Sequence, residues 1–318
     1  MSGARRCTRV AGWGTRHAKS RTRGGAVGDT IKVGVAHFPT AYSIPPAVLG
    51  PALEERGYES IWVAEHSHIP STRKTPPPAG GELPQRYYDT LDPFVFLTAM
   101  ATHTERLILG TGICLVIQRD PIHTAKSGAS LDQLSGGRFH FGVGAGWNED
   151  EMNDHGTQLE GRFKLMRERV AAIKAMWTED EPSYDGDLVK LPPMTINPKP
   201  VQKPHPPIHI GNAYPGGARR AVEWGNGWIP IPGRGEGTIA EQIANMREMA
   251  EAAGRDPDDI DVSIYFAPTD PDKIVEFAEA GVTRLAFNLP SADGDEAFAA
   301  LDAGMAAIAA AGLRPAAT

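Results

Sequence analysis

A carboxylate and two imidazoles stand at the end of a short apolar run. Ser60-Ile61-Trp62-Val63-Ala64 is followed at once by Glu65-His66-Ser67-His68. Imidazole exchanges a proton near neutral pH, and in parallel α/β proteins the C-terminal ends of strands are where ligands bind. His66 and Glu65 are therefore candidates for acid/base chemistry. His66 and His68 also carry an H-x-H spacing that suits a metal, and His205 and His209 flank a later strand. A barrel metallohydrolase needs in addition a carboxylate at the end of its last strand, where Phe287-Asn288-Leu289-Pro290 offers none, so no metal site is expected.

Three other segments could hold a ligand. In residues 138–148, reading RFHFGVGAGWN, Gly142, Gly144 and Gly146 alternate after a strand and let a ligand approach the backbone. The G-x-G-x-G spacing is not the dinucleotide fingerprint. Residues 107–116 form an apolar strand broken by Gly110 and Gly112, which suggests a bulge or a close ligand. In residues 208–220 a strand runs into Ala213-Tyr214-Pro215-Gly216-Gly217 and then a helix, whose first N–H groups suit a phosphate. Arg219 and Arg220 in that helix read as ordinary surface residues.

The elements that must position these groups alternate from residue 31 onward, the pattern of a parallel sheet with crossover helices. Strands are expected at 31–36, 60–64, 107–112, 139–143, 207–210, 227–231, 262–266 and 284–289. Helices are expected at 44–56, 93–102, 121–134, 161–177, 216–223, 239–253, 271–280 and 295–311, the second opened by Asp92-Pro93 and several stopped by Gly. Eight strands with interleaved helices predict an α/β fold, a (β/α)8 TIM barrel, with insertions at the C-terminal face. The Pro- and Gly-rich connection 67–91 follows the second strand and could act as a lid. The connection 178–206 carries a possible hairpin at 183–189.

Composition narrows the partners. The chain has 318 residues, a net charge of −7 and two cysteines, Cys7 and Cys114, too few for a disulfide framework. An acidic balance argues against nucleic acid, and no apolar run reaches the roughly 18 residues needed to span a bilayer. Residues 1–26 hold seven Lys/Arg and no acid; taking those seven from 32 leaves 25 basic against 39 acidic residues. They lack the apolar stretch of a secretory signal and read as an unstructured basic leader, possible product of an upstream start, ahead of a barrel domain spanning 27–318.

Taken in order, Trp62-Val63-Ala64-Glu65-His66, Thr90-Leu91-Asp92-Pro93-Phe94, Leu109-Gly110-Thr111-Gly112, the block 134–147, Pro198-Lys199-Pro200-Val201-Gln202 and Gly225-Asn226-Gly227-Trp228 resemble the luciferase-like flavin-dependent superfamily. The resemblance is strongest to its deazaflavin (coenzyme F420)-dependent oxidoreductase branch and runs from about residue 31 to 312. It implies a cofactor ring at the C-terminal rim of the barrel, backed by a non-proline cis peptide at Gly112-Ile113. It implies cofactor contacts at Glu65, Leu115, Ala145 and Gly146, with Asn148 closing the glycine-rich block, and a phosphate region at Ala213, Tyr214, Gly216 and Gly217. His66 maps to the acid/base of the deazaflavin dehydrogenases, held by Glu65 or a neighbouring loop group. The sugar-phosphate dehydrogenases of this branch carry a catalytic glutamate where this chain has Trp147, which turns the expectation toward a small apolar substrate.

The expected activity is hydride transfer between coenzyme F420 and that substrate. The alternative in the same superfamily is an FMN-dependent monooxygenase using reduced flavin and oxygen. A flavin-binding protein without catalysis and a zinc hydrolase are the readings from other classes. The resemblance also implies a homodimer, and a cytoplasmic location is expected.

Overall fold

The computed structural model describes residues 29–78 and 80–316, so the basic leader and Cys7 lie outside the described residues. Eight parallel strands form a closed ring: β1 (Thr30–His37), β2 (Ser60–Val63), β3 (Ile108–Thr111), β4 (Phe139–Val143), β7 (Ile208–Gly211), β8 (Gly227–Ile229), β9 (Asp261–Ala267) and β10 (Arg284–Leu289). The ring closes where β1 pairs with β10 from Lys32↔Arg284 to His37↔Leu289. Each strand lies within two residues of its sequence-predicted bounds. Between β4 and β7 the numbering is taken up by a small antiparallel hairpin, β5 (Tyr184–Asp185) and β6 (Lys190–Leu191), which takes in most of the expected 183–189 hairpin and runs two residues beyond it. A last strand, β11 (Arg314–Pro315), pairs with the start of β1 and had no sequence signal.

Four of the long helices begin at a side-chain cap. Asp92 Oδ1 accepts from the N–H groups of Phe94 and Val95 at the start of α3 (Pro93–Ala101). Asp120 does the same for His123 at α4 (Pro121–Leu134). Thr238 and Glu241 form a reciprocal capping box on α8 (Ile239–Ala252). The remaining long helices are α1 (Pro46–Glu55), α6 (Arg162–Thr178), α7 (Gly216–Trp224), α9 (Pro271–Glu279) and α10 (Gly294–Ala310). Two short helices were not expected: α2 (Arg86–Asp89), inside the 67–91 connection, and α5 (Glu149–Asp154), after β4.

Apolar residues of the strands and helices bury Trp177, Trp228, Phe139 and Phe141 completely, while Trp62 is buried inside the barrel against His140, His209 and Arg284. The barrel interior is partly polar toward the strand starts. There Arg284, fully buried, forms a fork of hydrogen bonds to Glu59 at 2.8 and 2.7 Å. His140 Nδ1 and His209 Nε2 lie 3.0 Å apart with stacked rings, which makes His209 a core histidine. Among the described residues no helix is long and apolar enough to cross a membrane, and no cluster of three or more His, Cys, Asp or Glu could hold a metal.

Candidate active site

The C-terminal ends of seven of the eight strands surround a cavity of about 550 Å³. Phe38 follows β1; Ala64, Glu65 and His66 follow β2; Gly112, Ile113 and Leu115 follow β3; and Ala145, Gly146 and Trp147 follow β4. Gly211, Asn212 and Ala213 come from the end of β7, Ile229 and Ile231 from β8, and Tyr265 and Phe266 from β9. Pro78 and Tyr87 from the 67–91 connection also line the cavity, together with Leu159, Arg162, Phe163 and Arg234.

The floor is built around Ile113. The Gly112–Ile113 peptide is cis, and the Tyr265 hydroxyl donates to the Gly112 carbonyl at 2.6 Å. Burial pushes the Tyr265 phenol pKa up, so the hydroxyl keeps its proton as a donor. The Ile113 side chain lies in a slot between Gly144 and Gly211: a Cβ on Gly144 would fall 1.7 Å from Ile113 Cδ1, and one on Gly211 2.6 Å from Cγ2. At the far wall Phe266 has φ 55°, a left-handed conformation that costs a residue with a Cβ roughly 1 kcal/mol. It sits beside the register shift between β9 and β10.

His66 is nearly buried, with its ring 5.3 Å from Tyr87 and 5.7 Å from Trp147. Its Nδ1 lies 2.7 Å from Glu151 Oε2 on α5, and the Ser67 N–H donates to Glu151 Oε1 at 3.1 Å. Glu65 does not hold His66. Its carboxylate accepts from the Leu115 N–H at 2.6 Å and from Arg119 Nε, and Arg119 also reaches Asp92 while lying over the Phe94 ring. Burial raises the Glu65 pKa against the opposing pull of Arg119 and the Leu115 N–H. Glu65 is thus a cavity-wall residue whose oxygens are already engaged. His68 faces away, bonded to Asp154 and to the Ser67 hydroxyl, in a separate exposed network that includes His155.

The turn between β7 and α7 is narrower as a donor site than its sequence suggests. Ala213 donates its N–H to Asn212 Oδ1 and Gly217 donates to the Ala213 carbonyl, while Pro215 has no N–H. Gly216 lies under the guanidinium of Arg220: a Cβ there would meet Arg220 Nη1 at 2.8 Å. Arg220 is therefore not an ordinary surface residue. It lies 3.8 Å over the Phe163 ring, which Arg162 approaches at 4.5 Å, and its Nη1 is buried without an acceptor. Arg219 is exposed as expected.

Of the expected site residues, His66, Glu65, Gly112, Ile113, Leu115, Ala145, Gly146 and Ala213 line one cavity. Tyr214, Gly216 and Gly217 lie behind its edge on the α7 turn. Asn148 is buried at the N-cap of α5, with both side-chain polar atoms unpartnered. Sequence reasoning missed Glu151, Arg119 and the placement of Arg220. Two signals were available: Asn148 followed by three acids is a helix-start pattern, and Arg220 stands four residues after Gly216, one turn along the same helix face.

Comparison with known proteins agrees with the fold. The profile of the luciferase-like monooxygenase family matches residues 49–312. An uncharacterized protein of Mycobacterium tuberculosis is 40% identical over 273 residues, covering 84% of this chain and 94% of its own. An F420-dependent glucose-6-phosphate dehydrogenase of Mycolicibacterium gilvum is 31% identical over 242 residues, covering 72% of this chain and 66% of its own. Among solved structures, an F420-dependent secondary alcohol dehydrogenase superposes with a TM-score of 0.67 at 17% identity, covering 89% of this chain and 99% of its own. The monooxygenase RslO1 of Streptomyces bottropensis gives 0.68 at 22% identity, covering 88% and 98%.

Proposed function

Because the chain belongs to the luciferase-like monooxygenase family of F420- or flavin-dependent oxidoreductases and monooxygenases, we propose that it is a coenzyme F420-dependent oxidoreductase acting on a small apolar substrate. The observation that carries this reading is His66 itself: a buried imidazole with one nitrogen held by a carboxylate, set in an aromatic wall of the rim cavity.

The residues present fit a planar ring and a phosphate. The slot of Gly144 and Gly211 lets Ile113 lie low beneath the cavity, and the buried, unpartnered Arg220 Nη1 beside Gly216 would face an anion at the start of α7. Glu65, Leu115, Ala145 and Gly146 would flank the ring, and Ala213, Tyr214, Gly216 and Gly217 would surround the phosphate. When bound, the deazaflavin supplies a ring carbon that gives or takes hydride, chemistry the side chains cannot perform. The protein's share is orientation, a dry pocket and proton transfer. His66 Nε2, which has no partner among the described residues, would take or return the proton that accompanies the hydride. Phe38, Tyr87, Trp147, Leu159, Phe163 and Ile231 give the cavity a largely apolar wall beside Arg162 and Arg234, which supports a small apolar substrate.

Relatives favour F420 over FMN. The F420-dependent relative spans 72% of this chain, whereas an FMNH2-dependent dimethylsulfone monooxygenase of Pseudomonas putida, 32% identical, spans 42%. Parallel fluorescence titrations with F420 and FMN test the choice, with F420 expected to bind more tightly. Tighter FMN binding together with oxygen consumption would overturn it in favour of the monooxygenase. His66→Ala is expected to lower turnover by ~10²-fold or more while leaving cofactor affinity within a factor of a few. Unchanged turnover would remove His66 from the mechanism.

A further inference from the structure

Glu151 is a completely buried acid on a short helix that comes from a different part of the chain than His66, 85 residues away. Each of its oxygens has one partner: Oε2 meets His66 Nδ1 at 2.7 Å and Oε1 accepts from the Ser67 N–H at 3.1 Å. An amide N–H can only donate, so Oε1 is an acceptor whatever the state of His66. The chemistry at Oε2 then decides which nitrogen of the imidazole carries the proton.

We propose that Glu151 is a positioning residue that holds the proton of neutral His66 on Nδ1, so that Nε2 presents a lone pair to the cavity. This rests on the reading of His66 as the proton carrier. A carboxylate accepts at both oxygens; the Ser67 N–H supplies one donor, and a proton on His66 Nδ1 would supply the other at the 2.7 Å contact with Oε2. The opposite arrangement, with a proton on Glu151 Oε2 donated to Nδ1, would leave an Nε2–H facing the cavity and make resting His66 a donor.

The other groups around His66 do not compete for Nδ1. Tyr87 and Trp147 approach it with their rings. Glu65, the adjacent acid, is engaged by Arg119 and the Leu115 N–H. Arg162 and Arg234 belong to the wall of the same cavity, and His68, His155 and Asp154 form a network through the Ser67 hydroxyl. Glu151 also ties the root of the 67–91 lid, because Ser67 is its first residue. The neighbouring Asp150 holds the same segment further along, accepting from the N–H groups of Thr75 at 2.9 Å and Lys74 at 3.1 Å. The helix that docks the lid thus also sets the proton on His66.

The test uses the full chain labelled with 15N-histidine and a long-range 1H–15N correlation spectrum at a pH where His66 is neutral, with His66 assigned by its disappearance in His66→Gln. In the wild type the expected pattern is a protonated, pyrrole-type Nδ1 and an unprotonated, pyridine-type Nε2. An Nε2–H tautomer in the wild type would overturn the proposal, and this measurement needs no substituted side chain at 151. In Glu151→Gln the amide oxygen cannot serve both donors. With the oxygen kept by the Ser67 N–H, the amide NH2 turns to Nδ1, and the tautomer is expected to reverse while the other histidine signals stay in place. Glu151→Asp, which keeps an acceptor-only side chain, is expected to retain the wild-type pattern. An unchanged tautomer in a folded Glu151→Gln protein would overturn the role of Glu151. If the spectra come out as expected but His66→Ala keeps full turnover, the positioning stands and the reading of His66 as proton carrier fails.

Discussion

Substituting Gly144 by alanine should cost cofactor affinity far more than it costs the fold. The new methyl would fall 1.7 Å from Ile113 Cδ1 and 3.1 Å from Cγ1, well inside contact distance. The backbone has little room to retreat, because Gly144 N donates to the Cys114 carbonyl at 3.0 Å and Cys114 N to the Gly142 carbonyl at 2.8 Å. On the other side of the slot Gly211 already stands close to Ile113 Cγ2. The only open direction is up, into the cavity. In the empty protein Ile113 can rotate that way at small cost, so thermal stability should fall by about 1 kcal/mol or less. Were the proposed deazaflavin ring to occupy that space, the overpacking penalty of about 1–3 kcal/mol would have to be met at the binding site. At about 1.4 kcal/mol per tenfold, the dissociation constant should rise roughly 5- to 150-fold. Fluorescence titration with F420 measures it, beside a thermal melt of the apo protein. The double substitution Gly144→Ala with Ile113→Ala removes the colliding atoms and should restore most of the affinity. An affinity within twofold of wild type in Gly144→Ala, or no recovery in the double variant, would refute the argument that Ile113 forms the floor of the site.

Two further expectations concern the frame beneath the site. Burial lowers the His37 pKa to about 4 from 6.5, only partly offset by its bond to the Leu289 carbonyl, and its Nε2 has no partner. As pH falls the unfolded chain takes up this proton first, so the contribution is intact above pH 6.5 and lost progressively toward pH 4, by ~3 kcal/mol. Urea unfolding of wild type and His37→Asn at pH 7.5 and pH 4.5 should show the wild type losing more stability between the two; parallel losses would exclude His37. Burial pushes Glu59 up, but the Arg284 guanidinium overrides it and holds the carboxyl at about 2. Its contribution is therefore present above pH 4.5 and lost as pH falls toward 2. Glu59→Gln leaves Arg284, fully buried, with Asp261 at 3.6 Å as its remaining acid, and should destabilise the fold at pH 7 by roughly 2–4 kcal/mol in urea melts. A loss below about 0.5 kcal/mol would show that Asp261 suffices.

Much of the barrel was legible because its signals are local. Strand runs such as Phe139–Val143 and Arg284–Leu289 are bounded by polar, glycine or proline residues, and Asp92-Pro93, Asp120-Pro121 and Asp270-Pro271 each open a helix with an Asp cap bond. The short helices α2 and α5 escaped because four to six residues do not establish a period. β11 escaped because its two residues are a strand only through their pairing with Thr30 and Ile31.

For the site, a strand end is a local property, so Glu65 and His66 could be placed at the rim from their own neighbours, while Ile113 and Ala145 were expected there from the family resemblance of their segments. The sequence alone did not determine their partners. Glu65 and His66 are adjacent in the chain, yet one turns to Arg119 and the other to Glu151, 54 and 85 residues away. Such pairings follow from how the strands close into a ring and carry their loops over it, contacts between remote segments that leave no periodicity in the chain. The imidazole was readable as a proton carrier from its type and position. Which of its nitrogens faces the chemistry is decided by a carboxylate that only the tertiary structure brings there.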